Sequence, residues 1–154
     1  EGAQTLLVVE HPAMLWDLYW QLLRIGYQPP AGWLAGGMTA WRITARPLAM
    51  LAQWTVQELD ARRHDRNGLF ILDVRQPGEW SHGHVPGAEH ISAAELPARV
   101  DEVPANKAVA VYCGSGYRSS IAASLLRRHG HRDVYNILGG FAAWQAEALP
   151  VTTP

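Results

Sequence analysis

The chain has 154 residues, 48% of them hydrophobic and 18% charged, with a formal net charge of −1. That length holds one well-buried domain with some chain to spare, and the composition is globular, not disordered. The near-neutral, interleaved charge excludes a basic nucleic-acid face and a basic membrane-surface helix. One cysteine excludes an internal disulfide and fits a reducing, cytoplasmic compartment.

The first apolar run, Leu6 to Tyr27, is broken by Glu10, His11, Pro12, Asp17 and Arg24, so it is neither a membrane span nor a signal peptide. The sequence opens on Glu1, not Met, as expected of a trimmed chain or a piece of a longer polypeptide. Leu6–Val9 is predicted as a short buried strand. Pro12 opens a helix that runs to about Ile25 and stops at Gly26. Trp16 and Trp20 share one face of it, a packing surface for the second unit or for a domain outside this sequence. Trp33–Ala35 is a brief strand, followed by Gly36-Gly37 and a short helix ending near Trp41 or Arg42. Residues 43–53, with Arg46-Pro47, read as linker.

A second unit starts at Thr55, where Thr55-Val56-Gln57-Glu58 spells a capping box for a helix. The basic run Arg62–Arg66 is the solvated end of that helix. Leu69–Leu72 is a strand ending in Asp73-Val74-Arg75, and a short helix begins in Gln76–Trp80. A turn spans Gly83 to Ala88, a small strand follows at Glu89–Ile91, and Ser92–Glu95 caps another helix. Within that turn region His82 and His84 make one His-x-His pair, which without a third ligand predicts a turn and no metal site. Lys107–Tyr112 is a strand, Ser119–His129 a helix, Val134–Ile137 the last strand, and Gly139–Trp144 opens the final helix. Strands alternating with helices predict an α/β fold with a central parallel sheet and helices on both faces.

Chemistry concentrates in Tyr112-Cys113-Gly114-Ser115-Gly116-Tyr117-Arg118-Ser119. A strand ends at the thiol and a helix begins just beyond it. The first N–H groups of that helix, its dipole and Arg118 all favour thiolate over thiol. Gly114 and Gly116 let the backbone aim several N–H groups at one atom. A small buried core residue is the plainer role for such a cysteine.

The sequence also repeats itself. Leu22–Tyr27 through Leu34–Trp41 matches Leu125–His131 through Leu138–Trp144 with one residue of difference in spacing, and both copies end in Gly-Gly-x-x-x-Trp. Extended backward, Leu6–Val9 matches the strand before Cys113, with Glu10-His11-Pro12 where the cysteine loop belongs.

Residues 54–154 resemble a complete rhodanese domain. The resemblance rests on Leu72-Asp73-Val74-Arg75, Glu79-Trp80, Gly83-His84-Val85-Pro86-Gly87-Ala88, the Cys113 loop and Gly139-Gly140-x-x-x-Trp144, all in family order. By the repeat, residues 1–50 resemble an inactive, cysteine-less half of a second such domain plus linker. The pair is similar to the tandem rhodanese tail of fusions with a metallo-β-lactamase-like domain. That implies such a domain upstream, whose metal ligands are not in this sequence.

The resemblance implies a sulfurtransferase. Cys113 would take the outer sulfur from thiosulfate or a low-molecular-weight persulfide as a persulfide, and pass it to a thiol or to cyanide, without metal or cofactor. Gly114, Ser115, Gly116, Tyr117, Arg118, Ser119 and Arg75 are the candidate substrate-binding residues, and Asp73 is a structural neighbour paired with Arg75. The alternatives are a non-catalytic sulfur carrier or interaction module of a larger enzyme and, further off, a phosphatase or arsenate reductase. Tyrosine-phosphatase-type loops space Cys and Arg by five residues, whereas Cys113 and Arg118 are separated by four, a narrower cradle that suits a sulfur atom.

Overall fold

The computed structural model describes residues 4–65 and 68–154, so Arg66 of the basic run lies outside the described residues. The chain divides into two units, Glu1–Ala49 and Met50–Pro154.

The first unit holds β1 (Leu6–Leu7), α1 (Met14–Arg24), β2 (Gly32–Trp33) and α2 (Gly37–Ile43). Strands β1 and β2 form a two-stranded parallel sheet, Leu6 opposite Gly32 and Leu7 opposite Trp33. Both strands are shorter than the apolar runs predict, because each pairs along one edge only.

The second unit contains β3 (Ala52–Trp54), α3 (Val56–Arg62), β4 (Leu69–Asp73), α4 (Pro77–Ser81), β5 (Ala88–His90), α5 (Leu96–Arg99), β6 (Ala108–Tyr112), α6 (Tyr117–Arg128), β7 (Val134–Ile137) and α7 (Gly140–Ala146). Its five strands run parallel in the order β3-β7-β6-β4-β5. Alternation along β6 divides the core between the two faces. Val109 and Val111 pack with Ala122 and Leu126 of α6, and Ala110 and Tyr112 pack with Val56, Leu59, Phe141 and Trp144 of α3 and α7. Parallel strands of this kind leave their carboxyl ends on one edge, where ligand sites of α/β sheets collect. At that edge β4 and β6 are neighbours, with Asp73 opposite Tyr112.

Three local readings are corrected. The end of the supposed 43–53 linker is the edge strand β3, held by β7 (Gln53 opposite Asn136) and by Trp54 stacked on Tyr135 with ring centroids 3.9 Å apart. Helix α6 starts at Tyr117, two residues early, because Gly116 at φ +101° turns the chain directly into it. Ser92 does not cap a helix; its hydroxyl donates to the Glu95 carboxylate, and α5 begins only at Leu96. The Thr55 capping box forms as predicted, with the Glu58 N–H donating to Thr55 and the Thr55 N–H to the Glu58 carboxylate. Among the described residues no helix is long and apolar enough to cross a membrane.

Candidate active site

Cys113 follows directly on β6 and is 1% exposed. The loop then folds back over the sulfur. The Gly116 N–H donates to Cys113 Sγ at 3.2 Å, and the Ser119 hydroxyl lies 3.4 Å from Sγ. That hydroxyl is also 2.6 Å from Asn136 Oδ1 on β7. It carries a single proton, so it donates to Asn136 or to the sulfur but not to both. Burial pushes the Cys113 thiol up; the Ser119 hydroxyl and the N–H groups of Ser119, Ser115 and Gly116 outweigh it and leave the thiol below its ordinary value.

Helix α7 holds the loop from the other side. The Phe141 N–H donates to the Cys113 carbonyl at 2.7 Å and the Ala142 N–H to the Gly114 carbonyl at 3.0 Å. Gly140, at φ +56°, passes so close to the Cys113 carbonyl that no side chain fits there.

The two arginines are both committed to acids. The Arg75 guanidinium forks onto Asp73, with its closest N···O distance 2.6 Å, and donates to the Gly83 carbonyl at 2.7 Å. It also lies 4.0 Å over the Phe141 ring. Burial draws Arg75 down, and the hydrogen bonds and charge of Asp73 more than reverse it. The pair ties the carboxyl end of β4 to the turn at Gly83. Arg118 reaches back across 39 positions to Glu79 on α4, its two nitrogens 2.6 and 2.8 Å from the two carboxylate oxygens. That contact holds the Glu79 carboxyl down at about 2 and raises Arg118. The Ser115 and Tyr117 side chains face outward, and Tyr117 is 74% exposed. Ser115 therefore acts on the sulfur through its N–H alone.

Beside the loop opens a cleft of about 530 Å³ between α4 and α7, lined by Glu79, His82, Gly114, Phe141 and Gln145, with Arg75 at its wall. His82 faces this cleft with Nδ1 2.6 Å from the Gly78 carbonyl, whereas His84 stacks on Trp80 with ring centroids 3.4 Å apart. Among the described residues no group of three His, Cys, Asp or Glu is placed to hold a metal ion.

The profile of the rhodanese-like domain matches residues 55–147. The chain belongs to the rhodanese-like family. Relatives of this rhodanese-like chain include a sulfurtransferase of Allochromatium vinosum, 34% identical over 64% of this chain and 92% of the relative. A thiosulfate sulfurtransferase, GlpE, of Pseudoalteromonas translucida is 37% identical over 53% of this chain and 78% of that protein. Among solved structures, a rhodanese-related protein of Thermoplasma volcanium superposes with a TM-score of 0.61 at 26% identity, covering 67% of this chain and 99% of that one. At family level the rhodanese-like unit is therefore sulfurtransferase-like.

Two participants escaped the sequence reading. Glu79 was seen only as part of a motif, although a carboxylate beside a lone arginine is the natural partner to seek. Asn136 had no sequence signal at all, since only the β6–β7 register brings it to Ser119.

Proposed function

We propose that the chain is a sulfurtransferase that carries a sulfane sulfur as a Cys113 persulfide. The supporting observation is the sulfur itself: a buried thiol at the end of a central strand, met by the Gly116 N–H and the Ser119 hydroxyl, with its pKa depressed. The Cys113 thiolate attacks the outer sulfur of thiosulfate, the S–S bond of the donor breaks, and sulfite leaves with the electron pair. A low-molecular-weight persulfide would instead release its thiolate. The terminal sulfur of Cys113–S–S⁻ is then attacked by a thiolate or by cyanide, giving a new persulfide or thiocyanate and returning the Cys113 thiolate. Each half-reaction is a displacement at sulfur and needs no oxidant, and the cycle is ping-pong. Loop N–H groups that meet the thiolate suit the anionic persulfide equally.

Gly114, Ser115, Gly116 and Ser119 serve as the cradle in this reading, mainly through their backbone. Arg118 positions the loop through Glu79, and Arg75 with Asp73 fixes the cleft wall. Tyr117 flanks the loop from outside. A non-catalytic carrier remains the second reading, favoured by the engagement of both arginines with acids, which leaves neither unpaired for a small dianion.

Intact-mass measurement after exposure to thiosulfate or a low-molecular-weight persulfide is expected to show one added sulfur atom, discharged by cyanide or thiol over many turnovers. Loading without turnover selects the carrier. No adduct with any donor, or rapid hydrolysis of an aryl phosphate, overturns the sulfur reading altogether.

Ser119→Ala removes the hydroxyl that favours the thiolate, so the thiol pKa rises. The alkaline-rising limb of the loading rate should move to higher pH by about one to two units, from the ~1.5–3 kcal/mol of a hydrogen bond to a charged group. An unmoved profile would mean the hydroxyl serves Asn136 and not the sulfur.

A further inference from the structure

The first unit repeats the back half of the second in strand register, turn glycines and several hydrogen bonds. Leu6 opposite Gly32 and Leu7 opposite Trp33 reproduce Ala110 opposite Tyr135 and Val111 opposite Asn136. Each helix that follows ends on a positive-φ glycine, Gly26 or Gly130. The next N–H in each case reaches back five residues, from Tyr27 to Leu22 and from His131 to Leu126. The Gly36-Gly37 pair has φ of +74° and +57°, and Gly139-Gly140 has +69° and +56°. Each short helix then ends with an indole donating to a proline carbonyl, Trp41 to Pro47 at 3.0 Å and Trp144 to Pro150 at 2.8 Å. Among the described residues the non-glycine residues with positive φ are Ala45 at +52° and Ala148 at +51°, at matching places in the two copies. Gly37 abuts the Val9 carbonyl as Gly140 abuts that of Cys113, so Val9 stands where the thiol stands. That position carries no nucleophile.

What the first unit lacks is cover. Leu6 is 68% exposed where Ala110 is 0%, Val8 57% where Tyr112 is 1%, and Met38 41% where Phe141 is 6%. Helix α1 buries no residue, whereas α6 buries Ser119, Ala122, Ala123 and Leu126. In the second unit the covering groups come from the front half. Strand β4 adds in parallel to β6, Ile71 opposite Ala110 and Leu72 opposite Val111, and Val56 and Leu59 of α3 close the apolar face. We infer that the first unit is the silent back half of a second rhodanese-like fold, and that its bare β1 edge takes a rhodanese-like front half that adds a parallel strand opposite Leu6 and Leu7. The interface is thus already present once in this molecule, between β4 and β6, and the apolar residues of the first unit are in register for it. An open edge beside exposed Leu6 and Val8 is otherwise an aggregation template.

The test joins a second copy of residues 50–106 ahead of the full chain through a flexible linker, in a Cys113→Ser background. Ile71→Cys in the added copy is combined with Leu6→Cys or with Val8→Cys. Paired residues in parallel strands lie about 4.8 Å apart, within disulfide range, and a slip of two residues adds roughly 6.6 Å along the strand. Leu6→Cys should therefore cross-link at least about tenfold faster than Val8→Cys. Slowed amide exchange at Leu6–Val8 in the extended chain would further support the register. Equal rates or no cross-link overturn the inference. So does a dimer of the unextended chain linked through Leu6→Cys, which would make a second copy the occupant. Sulfur loading at Cys113, measured in the unaltered chain, is independent of all these outcomes.

Discussion

Cys113→Ser is expected to abolish sulfur transfer, by on the order of 10⁴-fold or more, because the nucleophile of a covalent mechanism has no substitute. Among the described residues it is the single thiol the chain offers. The hydroxyl that replaces it is smaller, still receives the Gly116 N–H, and does not ionise near neutral pH. The variant should therefore fold, with unchanged far-UV circular dichroism and one cooperative unfolding transition, yet take up no sulfur by intact mass. Turnover at the unaltered rate in a folded Cys113→Ser chain would remove the persulfide from the mechanism. Retained binding of donor with lost transfer, seen by calorimetry, would place the defect in chemistry alone.

The contrast with Val9 sharpens that expectation. Both residues lie between a strand and a helix with their carbonyls against a positive-φ glycine. The helix after Val9 follows Ala13 at φ −59°, where that after Cys113 follows Gly116 at φ +101°, and Val9 has no group able to attack sulfur. At Cys113 the loop is held by Glu79 through Arg118, and the wall by Asp73 through Arg75. Asp73, Arg75 and Glu79 belong to the β4–α4 region and Arg118 to the start of α6, so the ties at Cys113 join the front and back halves of the second unit.

Legibility in the sequence followed distance along the chain. The loop around Cys113 could be read because its chemistry is local: strand, glycines, arginine and helix start fall within a few residues. The capping box at Thr55 and the Asp73–Arg75 pair are local in the same sense. The Glu79–Arg118 contact joins α4 to α6, and Ser119 meets Asn136 only because β7 lies beside β6. Neither separation leaves a periodic trace. The sequence placed Arg118 toward an anionic donor, and the fold adds the carboxylate that engages it. The edge strand β3 was read as linker because Leu51-Ala52-Gln53-Trp54 has no β-branched residue and its pairing is supplied by β7. The repeat was legible as Gly-Gly-x-x-x-Trp, but which residue replaces the thiol became clear only when Gly37 was seen against the Val9 carbonyl.

Gly140→Ala should be the most damaging change outside the loop itself. Gly140 sits at φ +56°, where a Cβ costs roughly 1–2 kcal/mol in the backbone alone. The added methyl would also press on the Cys113 carbonyl and come within 2.9 Å of the Gly114 carbonyl carbon. These are backbone atoms tied to the Phe141 and Ala142 N–H groups, so they cannot yield as a flexible side chain would. Overpacking of that kind adds about 1–3 kcal/mol, for a total of roughly 2–5 kcal/mol in denaturant unfolding. Gly130→Ala separates the two contributions, because Gly130 has φ +95° and nothing within 4 Å of its would-be Cβ. Its loss should stop at roughly 1–2 kcal/mol, with sulfur loading unchanged. Gly140→Ala should in addition slow loading by about 10²-fold, since relief of the clash moves the peptide that carries Sγ away from the Gly116 N–H. Equal destabilisation by the two variants, or normal loading in folded Gly140→Ala, would show that α7 does not set the position of the sulfur.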